Sequence, residues 1–168
     1  MTAKKSSPVA VIMGSDSDLE TMKTCIGQLQ TFGIDPIVRV ISAHRTPDIA
    51  ADFADNAAAN GVKVIIAAAG MAAHLAGALA ARTTLPVIGV PMNSDSGVDG
   101  LDALLSTVQM PSGIPVATVA IGRPGAKNAA VLAVEILALS DPDLAKVLSE
   151  FRKTQTEKVI EKDKGLNP

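Results

Sequence analysis

The chain has 168 residues, 48% of them hydrophobic and 19% charged, a length that suits one domain with its own core and a composition too apolar for a disordered chain. A net charge of −2 speaks against binding nucleic acid or a charged membrane surface. One cysteine, Cys25, excludes a disulfide framework or a multi-cysteine zinc site and suits a reducing compartment. Met1–Ser7 is polar and precedes no signal-type apolar run. Val9–Met13 falls far short of the ~20 apolar residues of a bilayer span. The expected location is cytoplasmic.

Strand and helix signals alternate along the chain. Apolar, β-branched runs at Val9–Met13, Ile37–Ile41, Val62–Ala68, Pro86–Val90 and Val116–Ile121 read as strands buried on both faces. Helical patterns fill about 17–32, 47–60, 72–82, 99–108, 126–139 and 142–163. Gly33 and Gly61 stand where glycines close the first two helices. Thr46-Pro47 opens the second, with Thr as N-cap and Pro at N1. This βαβαβ order predicts a parallel sheet with right-handed crossovers. The expected fold is a single α/β domain over residues 1–168, a three-layer sandwich of the flavodoxin-like kind with a core at about 8–140 and an extra C-terminal helix.

Composition also points beyond one chain. Alanine crowds Ala50–Ala59, Ala67–Ala81 and Ala126–Ala138, which predicts helices packed very close to their neighbours. From Val62 to Gly122 the formal charges are Lys63, Arg82, Asp95, Asp99 and Asp102 alone. So little polar surface predicts burial between subunits. The last helix, with its broken stripe Leu144, Val147, Leu148, Phe151, Val159 and Ile160, is expected to pack on a neighbouring subunit.

In an open parallel sheet the ligand crevice lies beyond the carboxyl ends of the strands. Three runs fall there. Gly14-Ser15-Asp16-Ser17-Asp18 lacks the glycine spacing of a dinucleotide fingerprint and the Gly-Lys-Ser/Thr of a P-loop. As a hydroxyl-bearing turn into a helix it suits one phosphate, with an acidic group left to cap the helix or hold ribose hydroxyls. Ser42-Ala43-His44-Arg45-Thr46-Pro47 offers a guanidinium fork for phosphate and an imidazole that exchanges protons near neutral pH. Gly70-Met71-Ala72-Ala73-His74-Leu75-Ala76-Gly77 carries the second histidine between glycines that permit close approach. Two histidines without an acidic cluster make no metal site. Cys25 lies inside a helical segment, and no nucleophile elbow occurs. Gly122–Asn128 reads as a turn into the fifth helix.

Four motifs in order, Gly-Ser-x-Ser-Asp, Ser-Ala-His-Arg-Thr-Pro, Ala-Ala-His-Leu and Gln109-Met110-Pro111-Ser112-Gly113-Ile114-Pro115-Val116-Ala117-Thr118, resemble the class I N5-carboxyaminoimidazole ribonucleotide mutases of purine biosynthesis. The resemblance spans about Val9 to Ala138. It implies an isomerase that moves a carboxyl group from the exocyclic nitrogen of an aminoimidazole ribonucleotide to ring carbon C4, with no metal and no organic cofactor. It implies His44 as the acid/base and His74 beside the CO2 pocket. It places the ribonucleotide, a small-molecule substrate, against Gly14, Ser15, Ser17, Asp18, Ser42, Ala43, Arg45, Gly70, Met71, Ala72, Ala73 and Leu75. A homo-octamer is also implied. Met71 and Ala76 depart from the Gly and Pro common in the family, and Asn93–Gly97 departs from its usual loop. The sister class, which carboxylates aminoimidazole ribonucleotide with free CO2, typically has Lys for Arg45 and Gly-Arg-Ser-Asn for Gly70–Ala73, so this chain sides with the mutases. A flavin carrier would want aromatics in the strand-end loops, and a receiver domain an Asp after the third strand; neither is present.

Overall fold

A computed structural model describes residues 6–94 and 98–166. Strands and helices alternate up to a second consecutive helix at the end: β1 (Val9–Met13), a short 3-10 turn (Asp16–Asp18), α1 (Leu19–Thr31), β2 (Ile37–Val40), α2 (Pro47–Ala57), β3 (Val64–Gly70), α3 (Leu75–Ala80), β4 (Val87–Met92), α4 (Leu101–Val108), β5 (Ala117–Thr118), α5 (Gly122–Ala138) and α6 (Pro142–Leu166). The strands form one parallel sheet in the order β2-β1-β3-β4-β5. This is the expected flavodoxin-like topology, with helices on both faces.

The two-residue period of the strands sorts the core into two halves. Val9, Val11, Met13, Val64, Ile66, Ala68, Ile88, Val90 and Met92 pack against α1 and α5. Ala10, Ile12, Ile65, Ala67 and Val87 pack against α2 and α3 on the other side. Alanine permits the close approach foreseen for these helices. α5 buries Ala126, Ala129, Ala130 and Ala133 completely, and α2 turns Ala50, Ala54 and Ala57 inward at helical spacing. Gly89 in β4 shows how thin the sandwich is. A Cβ there would meet Thr107 Cγ2 of α4 at 2.3 Å.

Several expectations are corrected. β2 is an edge strand: Val38 is 39% exposed and Val40 53%, so it is not buried on both faces. β5 pairs through only two residues, Ala117 and Thr118. The Gly122–Asn128 stretch is the first two turns of α5 rather than a turn before it. Thr46 occupies the N-cap position of α2 but makes no side-chain cap bond. α6 lies partly on its own chain: Leu144, Leu148 and Phe151 pack on the α1–α5 layer, and Phe151 meets Phe32 edge-on at 5.1 Å. Its later turns project outward, with Val159 67% exposed. Among the described residues no helix is long and apolar enough to cross a membrane.

Candidate active site

The carboxyl ends of β1 to β4 open onto one crevice of about 660 Å³, a size suited to a small nucleotide. β1 delivers the first wall. Gly14 N–H bonds Ala68 O at 2.9 Å, which holds the chain end against β3. Ser15 then turns the backbone into the 3-10 turn and caps it. Its Oγ accepts from Ser17 N–H at 3.3 Å and from the Ser17 hydroxyl at 2.9 Å. Plain capping therefore accounts for Ser15, and it also fixes two hydroxyls and a helix start at the crevice edge. Asp18 follows, 8% exposed. Burial raises its pKa to about 6, against a lowering bond from the Ser15 backbone, and nearby Asp16 adds to the rise.

β2 delivers the second wall. Ile41 N–H bonds Met13 O at 2.8 Å, so the two loops are clamped side by side. Ser42 and Thr46 then close a compact loop. Thr46 Oγ1 accepts from Ser42 N–H at 3.0 Å and donates to Ser42 O at 2.9 Å. Ser42 Oγ accepts from Arg45 N–H at 3.1 Å. The hydroxyl expected to cap α2 is thus spent on holding the loop that presents His44 and Arg45. Both side chains are exposed to the crevice. Arg45 has no carboxylate partner among the described residues, which leaves its guanidinium fork available to an anion.

β3 delivers the third wall by way of two tight turns. Met71 takes a left-handed backbone, φ 55°, and Ala73 N–H and His74 N–H bond back to Met71 O and Ala72 O, each at 2.8 Å. That kink carries His74 to the N-terminus of α3, facing the β2 loop. His74 Nδ1 lies 2.8 Å from His44 Nε2, with the rings perpendicular and 5.0 Å apart. The two histidines of the chain, thirty residues apart, therefore form one hydrogen-bonded pair.

Gly14, Ser15, Ser17, Asp18, Ser42, Ala43, His44, Arg45, Gly70, Met71, Ala72, His74 and Leu75 all line the crevice. Ala73 does not; it is buried, 1% exposed, behind the turn. Thr21, Ala69, Met92, Asn93 and Ser94 line it as well; Asn93 and Ser94 belong to the loop noted for departing from the family pattern, while Thr21, Ala69 and Met92 are ordinary residue types with no charge or spacing to single them out. The end of β4 was readable from topology alone. Gly70 sits against this strand end: a Cβ there would make ordinary contacts with Met92 O at 3.4 Å and Ser94 Cβ at 3.8 Å. Gly77, read as allowing close approach, packs instead under Met110, whose Sδ would lie 3.0 Å from an added Cβ. In the Asn93–Gly97 loop, residues 95–97 lie outside the described residues. Cys25 is buried away from the crevice, and burial pushes its thiol up to about 12.

Sheet order and crevice together define an α/β enzyme with a nucleotide-sized site at the carboxyl ends of its strands. Residues 8–158 match the family described as AIR carboxylase. The chain is 58% identical to the N5-carboxyaminoimidazole ribonucleotide mutase of Brucella melitensis over 92% of this chain and 94% of that protein. It is 51% identical to the Bacillus subtilis protein of the same name over 94% and 97%. A crystal structure of Treponema denticola PurE superposes with a TM-score of 0.85 at 32% identity, covering 95% of this chain and 98% of that one. The chain belongs to the AIR carboxylase family.

Proposed function

We infer that the chain is an N5-carboxyaminoimidazole ribonucleotide mutase, an isomerase of purine biosynthesis. The observation that carries this is the meeting of His44, Arg45 and the serine turn in one crevice, in a chain at least 51% identical to mutases of that name. The runner-up, carboxylation of aminoimidazole ribonucleotide with free CO2, has less support, since Arg45 and Met71-Ala72-Ala73 depart from the motifs of that sister class.

The chemistry assigns roles to the residues. Arg45, Ser15 and Ser17 are placed for the 5′-phosphate, combining a fixed cation with a helix start. Asp18 is placed for the ribose hydroxyls. In the reaction the bond from the exocyclic nitrogen to the carboxylate breaks, CO2 leaves, and the nitrogen takes a proton from His44. C4 then attacks the held CO2, and His44 recovers the C4 proton. The net change is a carboxyl group moved one way and a proton the other, so no cofactor enters this scheme. Ala43, Ala69, Met71, Ala72, Leu75 and Met92 give the crevice an apolar side suited to keep water from the CO2.

A homo-octamer is part of this reading. His44 and His74 are both exposed in the single chain, whereas a CO2 intermediate needs cover. α4 carries Leu101, Leu105 and Val108 on one outward stripe, each 48–49% exposed, and a neighbouring copy would cover it. A cytoplasmic location fits the same reading.

Two variants test the roles. His44→Asn keeps ribonucleotide binding and lowers kcat by 10²-fold or more, within the ~10²–10⁴-fold range of general acid–base catalysis. Arg45→Ala raises the ribonucleotide Kd on the order of tenfold or more, as loss of a charge-assisted contact does. Calorimetric titration and steady-state kinetics read both, and normal turnover by His44→Asn would remove the proton shuttle from the scheme.

A further inference from the structure

We propose that His74 is a positioning residue: its Nδ1 lone pair accepts the Nε2–H of His44, selects the tautomer of that ring and leaves His44 Nδ1 as the nitrogen that serves the substrate. The proposal rests on the mutase reading and adds to it which nitrogen acts and what holds it ready. A line of 2.8 Å between two ring nitrogens holds one proton. Two protons would collide, and none would set two lone pairs against each other. A neutral imidazole has one donor and one acceptor nitrogen, so the tautomers of the two rings are tied together.

The proton count favours His44 as the donor in this pair. The reaction needs one nitrogen that gives a proton to the exocyclic nitrogen as CO2 leaves and takes one from C4 after the carbon–carbon bond forms. With Nε2–H directed at His74, His44 Nδ1 carries a proton before the first step, is bare between the two, and carries one again after the second. The Nε2–H stays in place throughout, and nothing is gained or lost over the cycle. The arrangement has the logic of a carboxylate behind a catalytic histidine, with a neutral ring as the orienting group. Perpendicular rings suit this, because the bond fixes the in-plane direction of the His44 ring. The ordering of the β2 loop by Thr46 and Ser42 and the kink at Met71 hold the two rings at that distance from opposite walls.

The experiment compares wild type, His74→Phe and His74→Gln as full-length protein. His74 is exposed, so the replacements leave the core intact. Ring 15N NMR reads the tautomer directly, and assignment is simple because each variant keeps His44 as its sole histidine. In wild type, neutral His44 is expected as the Nε2–H form. In His74→Phe it becomes a mixture, and kcat for N5-carboxyaminoimidazole ribonucleotide falls on the order of 10- to 100-fold, the usual cost of losing an orienting partner, with KM within twofold. His74→Gln, whose amide oxygen accepts the same proton, restores the Nε2–H form and most of the lost kcat. An unchanged His44 tautomer in His74→Phe, or a kcat within twofold of wild type, overturns the proposal. Wild type with no mutase turnover would instead count against the functional reading, while the 15N comparison still judges the pairing of the rings.

Discussion

A carboxylate that loses its water on folding resists ionisation, and Asp18 resists it up to about 6, against 3.8 for the ordinary side chain. The sign of the linked stability change follows. Above about pH 6 the folded chain must hold a desolvated anion, a cost that shrinks as pH falls toward 4, where the folded state binds the proton and the unfolded state does not. Asp18→Asn should therefore raise stability by up to about 3 kcal/mol at pH 8 and by little near pH 4, as urea midpoints across that range would show. A gain independent of pH would mean burial is not the cause. The same variant should weaken ribonucleotide binding, because a stabilising change that removes a buried anion from a site gives up what the anion was kept for. A nucleotide phosphate also titrates near pH 6, so the variant, rather than a bare pH profile, isolates Asp18. Asp18 and Arg45 stood out in the sequence because charge at a strand end is rare and conspicuous. Thr21 did not, since a lone hydroxyl reads the same in a turn, a cap or a site.

The start of α5 shows how an element is placed by one residue without a side chain. A Cβ on Gly125 would stand 1.5 Å from Ala120 O and 2.5 Å from its carbon. Backbone cannot yield as a flexible side chain does, so helix and strand end must separate. Gly125→Ala should cost about 3 kcal/mol or more, measured as a lower urea midpoint with an unchanged slope. A near-neutral effect would mean that α5 can slide along the sheet. Glycine and proline cluster in Gly122–Asn128, which in sequence reads as a turn. The structure uses the proline inside the first helical turn, where its missing N–H costs nothing, and the glycine for contact. Element type was legible throughout, since short β-branched runs, mostly bounded by glycine or proline, stand apart from the longer helical patterns. Position in the sheet was less so: Arg39 interrupts Ile37–Ile41, and a two-residue period that turned Arg39 outward would turn Val38 and Val40 inward, whereas all three are exposed at the edge.

For the whole molecule, exposed stripes and an open site argue the same point. Val38 and Val40 on β2, Leu101, Leu105 and Val108 on α4 and the later turns of α6 leave apolar surface uncovered, in a chain whose middle third has few charges. The octamer reading expects a solution mass of eight times the 17.1 kDa chain by sedimentation, and a stable monomer at micromolar concentration would contradict it. The overall topology was readable because alternating elements and right-handed crossovers leave few arrangements, and strand-end loops gather on one side in all of them. What local sequence could not supply was the His44–His74 contact, which depends on the left-handed turn at Met71, where the chain carries a side chain in a conformation that usually selects glycine.

The central claim is that the carboxyl group is moved within one substrate. It is tested most directly by giving purified enzyme N5-carboxyaminoimidazole ribonucleotide in one arm and aminoimidazole ribonucleotide with bicarbonate in the other. Rapid formation of the C4-carboxylated ribonucleotide in the first arm, with little in the second, is the predicted result. Product formed chiefly in the second arm would contradict the mutase assignment and make the chain a CO2-dependent carboxylase.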